Sequence, residues 1–460
     1  MYDDTIAAIA TPLGAAGIGI VRVSGPEAIS LVDGIFKGHQ RDSILNSDTY
    51  QAHYGHIIDP VDGRIVDETI CLVMRGPKSY TREDVVEIDS HGGTLPLKQI
   101  LELLLSQGAR LAEPGEFTRR AFLNGRIDLA QAEAVMDIVN ARTEEGMELA
   151  LRNLEGGLSK KVRALRQNII ELLSHLEASI DFPDDEIPEF ERDELEGRLL
   201  AVLEEIKALI SSSRGGRIYR EGIETTIIGR PNVGKSSLLN ALLGEKRAIV
   251  TEIPGTTRDT IEEIVNIRGI PLKIADTAGI RDTRDLIERE GVDRSMNLLS
   301  RSDLVLLVID VNQGLTEDDL AIIKDLSHQK LIVVVNKMDL EARISQEEIE
   351  DLFPGQNIIW TSMLREEGLE QLKDRIVEMV MEGEVVDTGR DVVANMRQLE
   401  ALKNAFKGTK RALETQQQGL PVDFITIDLR DAGESLGRIT GETLQEDIID
   451  QIFSEFCLGK

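Results

Sequence analysis

The stretch Gly229-Arg230-Pro231-Asn232-Val233-Gly234-Lys235-Ser236 decides the fold. It fits G-x-x-x-x-G-K-[ST], a loop whose backbone N–H groups cradle phosphates. Thr225-Thr226-Ile227-Ile228 before it reads as a strand, and Ser237-Leu238-Leu239-Asn240-Ala241-Leu242-Leu243 after it reads as a helix. The pattern needs that context. Its glycines let N–H groups face the phosphates, and the helix N-terminus adds positive dipole. Lys235 is expected to reach the β- and γ-phosphates and Ser236 to ligate Mg²⁺. Asn232, Val233, Gly234 and Ser237 complete the expected nucleotide contacts of this loop.

Downstream, Leu272-Lys273-Ile274 runs into Ala275-Asp276-Thr277-Ala278-Gly279. An Asp there holds Mg²⁺ through water, and the Gly279 N–H meets the γ-phosphate; Thr277 and Ala278 share that turn. The apolar run Leu331–Val335 reads as a buried strand and ends in Asn336-Lys337-Met338-Asp339. The Asp339 carboxylate can accept both N1–H and the 2-amino group of guanine, a donor pair adenine lacks. A bidentate contact of this kind discriminates by about 1–3 kcal/mol. Asn357–Ser362 supplies the last base-contacting loop, through Ser362. The order of these segments resembles GTP-binding proteins of the translation-factor-like class. Their last loop usually reads Ser-Ala, where this chain has Ser362-Met363. Strand, loop and helix alternate from 222 to 379, which implies a mostly parallel sheet covered by helices on both faces.

The loop Thr251-Glu252-Ile253-Pro254-Gly255-Thr256-Thr257 stands where a switch loop belongs. Thr257 is the candidate to complete the Mg²⁺ shell with Ser236; the same residues also suit an ordinary turn into a strand. Ile280 follows Gly279, where some small GTPases place a water-orienting Gln. Isoleucine cannot orient water, so Asp282, Asp285, Glu288 and Glu290 are the acids in reach. Transition-state charge also needs a cation. A monovalent ion could serve, held by the Asn232 side chain and the backbone oxygens of Thr251, Ile253 and Thr256.

With 460 residues, two to four domains are expected. The formal charge of −30 argues against non-specific nucleic-acid binding, which runs on positive surface. Cys71 and Cys457, far apart in a long chain, read as reduced thiols in a cytoplasmic protein. No apolar run approaches a membrane span, and the acidic start Met1-Tyr2-Asp3-Asp4 is no signal peptide.

Residues 1–120 read as a separate α/β domain, with strands at Gly17–Val23 and Thr69–Met74 and a helix at Leu95–Leu105. Residues 121–221 read as the first part of a helical domain, with helical pattern from Arg126 to Ile210. Leu151, Leu154, Leu158, Val162, Leu165, Ile169, Leu172, Leu176 and Ile180 form one stripe on a long helix. A second helix runs through Leu195 to Leu209, and Ser211-Ser212-Ser213-Arg214-Gly215-Gly216 reads as a flexible hinge. Helical pattern returns in 380–460, at Val393–Leu413 and Leu444–Phe456. The GTPase segment, 222–379, is therefore expected to be inserted between two halves of one helical domain.

The whole chain resembles the tRNA modification GTPases of the TrmE/MnmE type. The most distinctive match is Pro114-Gly115-Glu116-Phe117-Thr118-Arg119-Arg120-Ala121-Phe122-Leu123-Asn124-Gly125-Arg126 and its continuation to Ala134; Ala10-Thr11-Pro12-Leu13-Gly14, His91-Gly92-Gly93 and Phe456-Cys457-Leu458-Gly459-Lys460 add to it. The resemblance implies K⁺ at Asn232, Thr251, Ile253 and Thr256, and a catalytic glutamate in Glu288-Arg289-Glu290-Gly291, Glu288 with Glu290 as rival. It implies a tetrahydrofolate derivative (5-formyl or methylene type) at Arg22, Glu87, Arg126 and Lys460. It makes Cys457 a candidate active-site thiol; the plain alternative is a small buried apolar residue. It further implies a homodimer, an FAD-containing MnmG/GidA-type partner in a heterotetramer, and modification of C5 of a tRNA wobble uridine. A ribosome-assembly switch of the Era or Der type is the alternative, though the basic RNA-binding module expected of one is not visible.

Overall fold

The computed structural model describes residues 3–39, 43–181, 192–244, 263–275, 302–316, 319–320, 330–381 and 392–459. Within them two sheets flank a helical layer. The first sheet uses β1 (Ile6–Ile9), β2 (Ala16–Ser24), β3 (Phe36–Gly38), β4 (Gln51–Ile58), β5 (Ile65–Met74), β6 (Val85–Gly92) and β7 (Arg110–Leu111). Their order is β3-β4-β5-β6-β2-β1-β7. Alternation along β5 buries Thr69, Cys71 and Val73 while exposing Ile70, as a sheet with one packed face requires. Helices α1 (Ala28–Ile35) and α2 (Thr94–Ser106) cover that face, with Val32, Ile35, Leu97, Ile100 and Leu104 in its core.

Next come α3 (Glu116–Leu123), α4 (Leu129–Asn140), α5 (Glu144–Leu154), α6 (Gly157–Asp181) and α7 (Arg192–Glu221). Asp128 and Gln131 form a capping box that starts α4. The expected single helix across 151–180 is two helices. It breaks at Glu155-Gly156, where Gly156 has φ 83° and ends α5 in a left-handed turn.

The expected hinge at 211–216 is also corrected: it is the interior of α7. Ser212, Ser213 and Gly216 are small where the returning chain packs on them. Ser213 Oγ donates to the Leu209 carbonyl at 2.6 Å and accepts from the Ala394 N–H at 2.9 Å. A Cβ on Gly216 would lie 2.1 Å from a Val393 methyl.

The second sheet runs β13-β12-β11-β8-β10-β9. Its strands are β8 (Ile223–Ile228), β9 (Glu263–Ile267), β10 (Ile270–Ile274), β11 (Leu304–Asp310), β12 (Leu331–Asn336) and β13 (Asn357–Trp360). All neighbours pair in parallel except β9 with β10, an antiparallel edge hairpin. Every residue of β11 and β12 is buried, so both strands are covered on two faces. Helices α8 (Lys235–Leu243), α9 (Gln346–Leu352) and α10 (Leu369–Met381) belong to this layer.

The chain then returns through α11 (Met396–Gln417), α12 (Val422–Thr440) and α13 (Glu446–Ser454). Helix α12 was not expected from the sequence, although Ile425, Leu429, Ala432, Leu436 and Ile439 recur at helical spacing and are buried. One core joins Leu158–Leu176 of α6 and Leu195–Leu209 of α7 to Leu399–Leu413 of α11 and Ile425–Ile439 of α12. The C-terminal helix packs elsewhere. Ile449, Phe453 and Phe456 join Ala121, Ile127, Leu129 and Ala132 beside the first sheet.

Candidate nucleotide site and a second polar cluster

Strand β8 ends beside β11, and the chain turns through 229–234 into α8. Gly234 is the N-cap of α8 with φ 107°, and a Cβ there would lie 2.2 Å from the Asn336 amide nitrogen. Glycine is required by both the left-handed backbone and the approach of Asn336. Asn232 is itself left-handed, φ 64°, and its side chain is exposed. Among the described residues, no side-chain hydrogen bond occupies the Asn232 amide oxygen. Lys235 Nζ folds back onto the Gly229 and Arg230 carbonyls at 2.6 and 2.8 Å. Burial holds its ammonium below the usual lysine range, so an anion there would be favoured.

The base loop is tied to the phosphate loop. The Asn336 amide donates to the Val233 carbonyl at 3.0 Å. Lys337, at φ 67°, donates to the Asn232 carbonyl at 2.8 Å and to Asp310 at 2.6 Å. Asp310 closes β11 and is buried. Sequence reading missed it, though Leu304–Asp310 is another apolar run ending in an acid. Ser362 donates to Asp339 at 2.5 Å, which holds that carboxyl below its usual range. The Met363 N–H reaches the Asn336 amide oxygen at 3.3 Å, so the Ser362-Met363 departure leaves a backbone donor in this loop. Val233 is buried, Ser236 half-buried and Ser237 exposed. Thr251, Glu252, Ile253, Pro254, Gly255, Thr256, Thr257, Asp276, Thr277, Ala278, Gly279 and Glu288 lie outside the described residues.

A second cluster sits on the first sheet. Arg22 on β2 and Glu87 on β6 are cross-strand partners, joined by two contacts of 2.8 Å to one carboxylate oxygen. The Arg22 guanidinium lies 5.8 Å from the Tyr80 ring centre, and Arg126 lies 4.7 Å from the same ring. Arg22, Glu87 and Arg126 are thus brought together around Tyr80, which the sequence reading missed. Tyr80 also shares a hydrogen bond of 2.9 Å with Thr118. Beneath it, fully buried Arg120 binds Asp4 at 2.7 Å, Glu116 at 2.9 Å and Glu83 at 3.3 Å. Burial works to raise the Glu116 carboxyl, but Arg110 and Arg120 bring it below its usual value.

The C-terminal tail closes this cluster. Arg22 donates to the Gly459 carbonyl at 3.2 Å, and the Gly115 N–H donates to the Cys457 carbonyl at 3.3 Å. Cys457 is exposed, so the alternative of a small buried residue is set aside. Lys460 lies outside the described residues.

A mostly parallel sheet with this phosphate loop and an Asn-Lys-x-Asp loop beside it defines a P-loop nucleotide-binding protein of the GTPase class. Residues 5–126 match the GTP-binding protein TrmE N-terminus, and 129–457 match the MnmE helical domain. The chain is 50% identical over 461 residues to the tRNA modification GTPase MnmE of Alkaliphilus oremlandii, covering 100% of both chains. It is 50% identical to that of Geobacillus kaustophilus, over 99% of each chain. It is 48% identical to that of Bacillus subtilis, over 99% of this chain and 100% of that one. The chain belongs to the MnmE family of tRNA modification GTPases.

Proposed function

We propose that this protein is a GTP-hydrolysing enzyme of tRNA modification, acting with an FAD-containing MnmG/GidA-type partner on C5 of wobble uridine. The reading is carried by whole-chain identity to MnmE proteins together with the tied phosphate and base loops. The Era/Der alternative is not favoured: the relatives match along the full chain, through both flanking regions.

The domain reading is 1–120 for folate-type binding and dimerisation, 121–221 and 380–460 for the helical domain, and 222–379 for the GTPase. Lys235 binds the β/γ-phosphates and Asp339 selects guanine. Ser236 and Thr257 hold Mg²⁺, Asp276 reaches it through water, and the Gly279 N–H meets the γ-phosphate. Asn232, whose side chain is open to a cation, holds K⁺ with Thr251, Ile253 and Thr256. The two ions supply positive charge to the phosphoryl oxygens when bound. Glu288 orients the attacking water. Two copies pair as a homodimer in the cytoplasm.

The Arg22–Glu87–Tyr80–Arg126 cluster suits a tetrahydrofolate derivative. One oxygen of Glu87 takes both Arg22 contacts, which leaves the other for a pterin N–H. Arg126 suits a glutamate tail, and Tyr80 offers a ring face. Lys460, next in sequence after Gly459, is the fourth folate residue of this reading. The folate supplies the one-carbon unit, and Cys457 is an exposed thiol on the tail beside it.

Wobble-uridine modification in cells lacking the protein tests the function; restoration by the wild-type gene is expected. GTP turnover at matched ionic strength should be higher in K⁺ than in Na⁺, and equal rates would remove the cation role. Glu288→Ala should abolish turnover. Unchanged folate affinity in both Arg22→Ala and Glu87→Ala would count against that site. Weak tRNA binding by the acidic chain alone, and tighter binding with the partner, is expected; tight binding alone would refute that division of labour.

A further inference from the structure

The β9–β10 hairpin has two very different ends. At one end Glu263 pairs with Ile274, and the chain departs on both sides toward 251–257 and 276–279. Five-residue strands place the tip roughly 17 Å away. The tip is Arg268-Gly269, with φ of 50° and 89°, the doubly left-handed two-residue turn that joins twisted strands. It rests on Glu145, in the first turn of α5. A Cβ on Gly269 would lie 2.4 Å from the Glu145 carboxyl carbon, so glycine is required there twice over. One oxygen of Glu145 is buried and makes no hydrogen bond to a described residue. A carboxylate in that state is costly unless water or a donor reaches it, so the tip presses on a group sensitive to its surroundings.

The same corner is closed by the end of α7. Gly146 lies against the Tyr219 carbonyl, and Gly222 lies against the Pro271 carbonyl of β10. Helix α5 is fixed at its other end, where Asn153 donates to the Val393 carbonyl at 2.7 Å. A shift of the hairpin tip therefore presses on a helix whose far end is held by the chain returning from the second sheet.

We propose that Glu145 is a positioning residue that couples the helical layer to the nucleotide loops through the Gly269 hairpin tip. The proposal rests on the GTPase reading above. Hydrogen–deuterium exchange on the full chain, loaded with GDP or a non-hydrolysable GTP analogue, tests it. In the wild type the amides of α5 should exchange at different rates in the two states. Glu145→Ala and Gly269→Ala should erase that difference while nucleotide affinity changes by less than about threefold, and GTP turnover should fall about 2- to 30-fold. Glu145→Gln, which keeps the shape, should weaken the difference as well and serves if the alanine variants do not fold. No wild-type difference, or one that persists in the variants, overturns the coupling. A wild-type chain that fails to bind GTP overturns the nucleotide reading instead.

Discussion

The Asn336 side chain donates to the Val233 carbonyl at 3.0 Å, so the guanine loop and the phosphate loop are one hydrogen-bonded unit. Asn336→Ala would leave that buried carbonyl without its donor, at a cost of about 1–3 kcal/mol. GTP affinity is expected to fall roughly tenfold or more, since 1.4 kcal/mol is a factor of ten. Titration with a fluorescent GTP analogue measures it.

Asp339 is expected to set the base. Asp339→Asn replaces an acceptor by a donor, which suits the 2-oxo group of xanthine. Preference should shift from guanine toward xanthine nucleotides by roughly 10- to 100-fold, in line with about 1–3 kcal/mol per bidentate contact. Competition between GTP and XTP gives the ratio.

Among the described residues, Arg120 is the fully buried cation that joins Asp4, Glu83 and Glu116. Arg120→Met takes the cation from buried Glu83 and leaves Asp4 and Glu116 to Arg110 alone, and breaking a buried ion pair costs about 3–5 kcal/mol. Arg120→Lys should not restore stability, because a single ammonium cannot replace the planar fork. Urea unfolding followed by circular dichroism measures both.

Asp137 gives the pH dependence. Burial pushes its carboxyl up to about 6, against the opposing pull of Arg220 at 3.7 Å. Its folded value is raised, so between about pH 4 and 6 the native state keeps a proton that the unfolded chain releases. Stability from this group therefore falls as pH rises through that window. Asp137→Asn should stabilise the protein at pH 7.5 by about 1–3 kcal/mol, with the gain shrinking toward pH 4.5. The shift in urea midpoint at the two pH values reads it out.

Much of this molecule was legible because its signals are local. The phosphate loop carries its own strand and helix, and Leu331–Val335 carries its own burial. The errors lie where distant chain decides the outcome. Ser211–Gly216 has the composition of a linker, yet Val393 and Ala394 require small residues there and the helix continues. Tyr80 gave no signal, because its neighbours Arg22 and Arg126 reach it only through folding. Asp310 was readable by the rule applied to Asp339, and α12 by the periodicity applied to α6.

The core shared by α6, α7, α11 and α12 has a consequence for synthesis on the ribosome. About 180 residues separate Leu209 from Val392. At roughly 5–20 residues per second, the first half waits about 10–40 s for the residues that cover it. During that interval the apolar stripes of α6 and α7 lack their partners, while the chain of the second sheet emerges between them. Nascent chains stalled before residue 392 should therefore recruit chaperones, and release past Leu436 should end that need.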